Sequence, residues 1–388
     1  MTASERNAVV RLSLTDFRCY ESLRLDVDAR PVVLTGPNGA GKTNLLEALS
    51  FFAPGRGLRR ARMDDVTRHA AAPAAALRWA VAGTIDTDTG PVDIGTGFEA
   101  SAADADVGRR VVRISGAPAK SQASLGELLA AVWLVPDMDR LFMDGASARR
   151  RFLDRLAAAF DPAHTGQLNG YEQAMRERTR LLRDERYGGR TADRGWVGAL
   201  EQRMAEGGVA LAAARRAFVR RLAAACERDL GPFPAARVTL VGDVETWLDG
   251  MSALDAEDRL REGLAASRAM DREAGRALVG PHRSDIEVAH RQKDVPAAVC
   301  STGEQKALLI SIVLAHARLV ALDRGAAPLL LLDEIVAHLD PERRAALFDE
   351  ICALGAQAWM TGTDRSLFEA FDGRAQYFRV ESASVRSV

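Results

Sequence analysis

The sequence predicts an α/β protein: a phosphate-loop lobe built on a mixed sheet, parallel at its centre, and interrupted by an inserted, mainly helical second lobe. Three observations carry that expectation. Gly36-Pro37-Asn38-Gly39-Ala40-Gly41-Lys42-Thr43, near the start of the chain, is a complete G-x-x-x-x-G-K-[ST] loop. Its complement comes near the end, where the apolar run 329–332 closes on Asp333-Glu334, shortly after Ser301-Thr302-Gly303-Glu304-Gln305. Between the two, from about Ser147, the apolar pattern changes to a helical period.

The elements follow in order. Residues 9–27 alternate apolar and polar positions around Phe17-Arg18-Cys19-Tyr20, which reads as two strands joined by a turn. Residues 31–35 form a short, continuous apolar strand that feeds the glycine loop, and 44–52 continue as a helix packing Leu45, Leu46, Ala48 and Leu49. Residues 79–98 and 110–114 read as β-structure, separated by the Ala- and Asp-rich stretch 100–106. Helical stripes then run through Phe152, Leu153, Leu156 and Phe160, through Tyr171, Met175 and Leu182, and through Val209, Leu211, Phe218, Leu222 and Cys226. Gly188-Gly189-Arg190 and Gly231-Pro232-Phe233-Pro234 break them. Residues 237–241 and 285–288 return to strand, 253–272 read as one helix, and 306–322 as another. No heptad persists through four repeats, so a long coiled-coil arm is not expected. The domain division expected is 1–135 and 275–388 for the phosphate-loop lobe, with 136–274 as the helical insert.

Bulk properties narrow the function classes. The 388 residues are 47% apolar and 27% charged with a formal net charge of −1, so a nucleic-acid partner would have to be met by a local basic patch. Cys19, Cys226, Cys300 and Cys352 are scattered, without C-x-x-C or His at metal spacing, and read as reduced thiols. The first eleven residues have no apolar core of a signal peptide, and the apolar stretch 307–322 contains His316 and Arg318. A soluble, cytoplasmic protein with no membrane partner is expected.

Each motif implies a chemistry. Gly36, Gly39 and Gly41 let backbone N–H groups of the 36–43 segment, with Pro37, Asn38 and Ala40 between them, point at β- and γ-phosphate oxygens of ATP. Lys42 adds a point charge, and the Thr43 hydroxyl is a ligand for Mg²⁺. Lysine is scarce here (Lys42, Lys120, Lys293 and Lys306 are the only four), so its presence in this loop speaks for a geometric demand. Carboxylates ending a buried apolar strand are expensive unless a cation or a reaction uses them, which assigns Asp333 to Mg²⁺ and Glu334 to the attacking water. Ser301 and Gly303 open a helix whose free N–H groups and dipole form an anion site, beside the alternative of a plain N-cap. Placed just before the acidic strand, that site would meet the γ-phosphate held by a second copy of the chain.

Several segments together make a specific resemblance. Leu14-Thr15-Asp16-Phe17-Arg18-Cys19-Tyr20, the glycine loop, Arg149-Arg150-Arg151-Phe152-Leu153-Asp154, Gly280-Pro281-His282-Arg283-Ser284-Asp285, residues 301–305, and Asp333-Glu334 followed by Leu339-Asp340 run nearly end to end. On these the chain resembles the RecF family of bacterial recombination-mediator ATPases, related to SMC and ABC-type ATPase heads. The resemblance implies an ABC/SMC-type fold, ATP-dependent binding of duplex DNA and gap junctions, an ATP-dependent homodimer, and RecO and RecR as partners in loading recombinase at single-strand gaps. It implies that Gly36 to Thr43 bind triphosphate, that Lys42, Asp333 and Glu334 are catalytic, that Ser301 and Gly303 serve the partner's γ-phosphate, and that Asp340 sits in the loop crossing the dimer seam. Two departures stand out. Residues 131–136 lack a lobe-junction glutamine, with Gln122 unassigned, and Thr363 stands where ABC-type heads often carry a switch histidine. Slow, switch-like turnover is the expectation.

Arg56, Arg59, Arg60 and Arg62 are the candidate DNA surface, with a solvated face as the alternative reading; for Arg149, Arg150 and Arg151 internal ion pairing is favoured. Arg18 and His282 are open to either a nucleotide or a packing role. Three rivals share the nucleotide motifs: a transporter's nucleotide-binding subunit, an SMC-like chromosome organiser and an ATPase-coupled nuclease. The Arg-rich 149–154 segment, the missing coiled coil and the lack of a further acidic cluster argue against them in turn.

Overall fold

The computed structural model describes residues 7–68, 77–100, 108–186, 193–228 and 231–388; the expected breaks at 101–106 and Gly188-Gly189-Arg190 lie outside them. Contacts divide the chain into two compact units. Met1–Asp139, Asp229–Pro234 and Thr302–Val388 form the first; Arg140–Arg228 and Ala235–Ser301 form the second. Residues 275–301, which the sequence pattern joined to the C-terminal part of the phosphate-loop lobe, pack instead in the second unit. The reason is pairing: the strand after the Gly280-Pro281-His282-Arg283 segment joins the strand at 236–241 over six residue pairs.

The first unit begins with the expected hairpin, β1 (Ala8–Phe17) and β2 (Tyr20–Asp26). β3 (Val32–Thr35), buried at every position, feeds α1 (Lys42–Ser50). β4 (Leu77–Thr87), β5 (Gly90–Ala100), β6 (Gly108–Ile114) and β7 (Ala117–Pro118) complete an antiparallel sheet of order β2-β1-β4-β5-β6-β7. α2 (Ala123–Leu128) and β8 (Ala131–Leu134) follow. Edge-to-face packing of Phe17 on Phe51 and on Trp79, with ring centroids 5.9 and 5.7 Å apart, locks that sheet to the end of α1. The half-buried Arg110 of β6 completes the lock. It donates to the carbonyls of Phe51 and Gly55, so a cation faces the C-terminal end of α1, and burial draws its pKa down to about 10.

The second unit is mainly helical, as expected: α3 (Ala146–Phe160), α4 (Ala163–Arg186), α5 (Arg194–Cys226), α6 (Asp243–Gly250), α7 (Ala253–Ala266) and α8 (Arg268–Ala274). Antiparallel β9 (Ala236–Val241), β10 (Asp285–His290) and β11 (Val295–Pro296) join them. Tyr171, Met204, Leu211, Leu260 and Leu264 are among its core residues. The single helix expected over 253–272 is in fact two, broken at Ser267. A buried guanidinium explains the break. Arg178 donates to Glu201 at 2.9 Å, Asp271 at 2.6 Å and the Leu264 carbonyl at 2.7 Å, and the chain bends at Ser267 to bring the last two to one point. Replacing Arg178 with methionine would leave the buried Asp271 without a cation and Glu201 with Arg268 alone, so urea unfolding should show a loss of about 3–5 kcal/mol. A change within experimental error would mean that the network is dispensable.

The first unit resumes with α9 (Thr302–Arg324), β12 (Leu329–Leu332), α10 (Pro341–Leu354), β13 (Ala358–Gly362), β14 (Gln376–Glu381) and β15 (Ser384–Ser387). By length and composition α9 could cross a bilayer, yet its residues from Gln305 to Ala317 are buried within the fold, as in a core helix. The expected mixed sheet has the order β15-β14-β3-β13-β12-β8, parallel from β14 to β8 with β15 antiparallel at one edge. Its central strands β3, β13 and β12 therefore end side by side, and the carboxyl ends of such strands are where ligands bind in open α/β sheets.

Candidate functional site

The glycine loop leaves β3 and enters α1 at that end. Gly36 has φ +145° and Gly41 φ +112°, conformations that disfavour any side chain. A Cβ on Gly36 would run into the Val380 carbonyl, and one on Gly41 would lie 2.6 Å from the Tyr20 hydroxyl, which itself donates to the Gly41 carbonyl at 3.2 Å. Backbone geometry and close packing thus require glycine at both positions. Lys42 is only 4% exposed, and its Nζ donates to the carbonyls of Gly36 at 2.6 Å and Pro37 at 2.9 Å. Burial lowers its pKa, against the neighbouring charges of Glu334 and Asp333.

Thr43 and Asp333 meet across the strand ends, with the Thr43 Oγ1 3.0 Å from both carboxylate oxygens. Thr361, at the end of β13, donates from its own hydroxyl to Asp333 Oδ1 at 2.8 Å and accepts the Glu334 N–H at 2.8 Å. Burial raises the Asp333 pKa, and the two threonine hydroxyls work against that rise. Glu334 follows in the left-handed region at φ +54°, a strained backbone for a residue with a side chain. A hydroxyl and a carboxylate converging beside a buried ammonium are the hard oxygen donors that Mg²⁺ takes, so the residues present fit a nucleotide with its metal.

The structure brings together Lys42, Thr43, Asp333 and Glu334. Ser301 and Gly303 lie exposed where α9 begins and are not part of that cluster. Asp340 accepts the Arg343 N–H at 2.8 Å as the N-cap of α10. Gln122 is engaged elsewhere, accepting from Arg110 at 3.1 Å, and Thr363 is exposed. Arg56, Arg59, Arg60 and Arg62 are all exposed, but Arg59 pairs with Asn44 at 2.8 Å and with the buried Glu47 at 3.1 Å. Arg18 holds the same carboxylate bidentately at 2.9 and 2.7 Å. Packing therefore accounts for Arg18 and ties Arg59 to α1. Arg149 forks onto Asp285 at 2.9 and 2.6 Å, and Arg150 donates to the Ser284 carbonyl at 2.6 Å, in line with ion pairing inside the second unit. His282 donates from Nε2 to the Ala277 carbonyl at 2.9 Å, so its Nδ1 accepts from the Tyr171 hydroxyl at 2.6 Å, a packing role. Thr361 escaped the sequence reading; a hydroxyl inside the apolar strand 358–362 was its one signal.

Comparisons with known proteins agree over the whole length. A family profile described as "RecF/RecN/SMC N terminal domain" matches residues 8–385. The chain is 52% identical over 379 residues to the DNA replication and repair protein RecF of Mesorhizobium japonicum, covering 97% of each chain. It is 50% identical over 386 residues to the protein of that name from Brucella suis biovar 1, covering 99% of this chain and 97% of the relative. Among solved structures, the recombination mediator protein RecF-ATPrS in the RecFOR pathway superposes with a TM-score of 0.83 at 19% identity, covering 100% of both chains. The Smc head domain of Pyrococcus furiosus matches at 0.52 and 18% identity, covering 98% of this chain and 96% of that one. At such identities these two likenesses speak for the fold.

Proposed function

The chain belongs to the RecF family, and from that premise we propose that it is an ATP-dependent DNA-binding ATPase of recombinational repair, which dimerises on ATP and assists recombinase loading at single-strand gaps. The observation that carries this reading is the convergence of Lys42, Thr43, Asp333 and Glu334 at the carboxyl end of one parallel sheet. Backbone N–H groups of residues 36–43 hold the β- and γ-phosphates, and Lys42 offsets their charge. Thr43 and Asp333 are the residues that would hold Mg²⁺, which supplies further neutralisation of the phosphate oxygens when bound. Glu334 orients a water for in-line attack on the γ-phosphorus and takes its proton, while the bond to the β-phosphate oxygen breaks and ADP leaves. Ser301 and Gly303 of a second copy donate to the γ-phosphate, so ATP joins the subunits and hydrolysis separates them. Thr363 in place of a histidine, and Gln122 engaged by Arg110, support slow turnover suited to a switch.

Arg56, Arg60 and Arg62 are the proposed phosphate contacts, with RecO and RecR as cytoplasmic partners by family membership. With about three phosphates neutralised, log K for duplex DNA should fall against log salt with a slope of about −3, and the Arg56→Ala/Arg62→Ala double variant should flatten it. Fluorescence anisotropy across a salt series measures this, and a slope near zero contradicts a phosphate-dominated surface. The transporter alternative shares the nucleotide motifs, but the relatives matched end to end are named for DNA replication and repair. Hydrolysis and dimerisation, each measured with and without gapped duplex, decide between the two: stimulation by DNA supports repair, and indifference to it supports transport.

A further inference from the structure

We propose that Thr361 is the positioning residue of the nucleotide site, with one hydroxyl setting both the Asp333 carboxylate and the backbone from which the Glu334 side chain departs. This rests on the ATP-site reading above and adds to it a residue that belongs to none of the nucleotide motifs. A threonine hydroxyl has one proton to give and lone pairs to accept with. Here the proton goes to Asp333 Oδ1 at 2.8 Å and a lone pair takes the Glu334 N–H at 2.8 Å. Both acidic residues are therefore referred to one atom, on a side chain that is 0% exposed. Strand register puts it there. β13 runs parallel to β12 with Leu332 opposite Met360, so the next residues along the chain, Asp333 and Thr361, come level at the carboxyl end of the sheet.

Two consequences follow. Asp333 is held by hydroxyls from two sides, Thr43 on α1 and Thr361 on β13, which leaves its carboxylate little freedom to turn away from Thr43. The Glu334 N–H, in turn, is bonded at the residue whose backbone sits at φ +54°, a left-handed conformation that persists for a residue with a side chain only where neighbours impose it. Valine has nearly the shape of threonine but supplies neither bond. It would leave Asp333 to Thr43 alone and the Glu334 N–H unpaired.

The test compares Thr361→Val with Thr361→Ser in the full-length protein, with folding checked by thermal melts. Nucleotide binding is titrated with a fluorescent ATP analogue over a range of Mg²⁺ concentrations, and kcat and KM for ATP are measured at saturating Mg²⁺. For the valine variant the half-saturating Mg²⁺ concentration should rise and kcat should fall, each by about 10-fold, as for loss of a partner that orients a metal-binding carboxylate. KM at saturating Mg²⁺ should stay near that of the wild type, and serine should restore both parameters. If valine does not fold, Thr361→Ala carries the same expectation. A valine or alanine variant that melts earlier yet keeps the wild-type Mg²⁺ dependence and kcat would reduce Thr361 to a structural residue and overturn the proposal. A wild-type protein that fails to bind the analogue at any Mg²⁺ concentration would overturn the ATP-site reading itself, and this proposal with it.

Discussion

Replacing Lys42 with alanine is expected to weaken ATP binding about 100-fold, the equivalent of one or two charge-assisted hydrogen bonds, and to abolish measurable turnover. The magnitude follows from where the ammonium sits. Lys42 is almost fully buried, its Nζ is bonded to the carbonyls of Gly36 and Pro37 within the loop, and its charge acts where water does little to screen it. Alanine removes that charge and leaves two loop carbonyls without their donor. Arginine would not rescue it, because a planar guanidinium is bulkier than an ammonium and cannot be centred between the same two carbonyls. Isothermal titration calorimetry with ATP and Mg²⁺ checks this. Wild-type affinity in Lys42→Ala would place the triphosphate elsewhere.

The second large effect is kinetic. Glu334→Gln should lower turnover by about 10²- to 10³-fold while ATP binding stays close to that of the wild type. Glutamine keeps the length of the side chain, and its backbone N–H still reaches Thr361. What it loses is the ability to take a proton from the attacking water. Single-turnover hydrolysis separates this loss from slow product release. A variant that hydrolyses ATP at the wild-type rate would remove Glu334 from the chemistry.

Much of this site was legible because its signals are local. The glycine loop needs eight consecutive residues, and the strand ending in Asp333-Glu334 needs six; each carries its own geometry in its spacing. Thr361 was not legible, since its role arises from parallel pairing of β13 with β12 and becomes visible only once the strands are aligned. The break at Ser267 was hidden for a similar reason. Residues 253–272 carry a continuous helical pattern, and it is Arg178, far away in the chain, that draws Leu264 and Asp271 to one guanidinium. The arginine cluster shows the limit of reading charge from composition. Four exposed arginines look alike in sequence, yet Arg59 is drawn to Glu47, a carboxylate fully buried on α1 and shared with Arg18. The contacts of 275–301 with the helical unit were not legible either, because they follow from pairing of β10 with β9, which joins segments more than 40 residues apart.

The central claim is that ATP held by Lys42 in one copy is capped by Ser301 of another. Light scattering on the Glu334→Gln protein, with and without ATP and Mg²⁺, tests it most directly, because slow hydrolysis preserves the bound nucleotide. A molar mass that doubles with ATP, and that returns to the monomer value when Ser301→Arg is added while ATP binding persists, is the predicted result. A protein that stays monomeric at saturating ATP, or a dimer that forms equally well with arginine at position 301, would contradict the account.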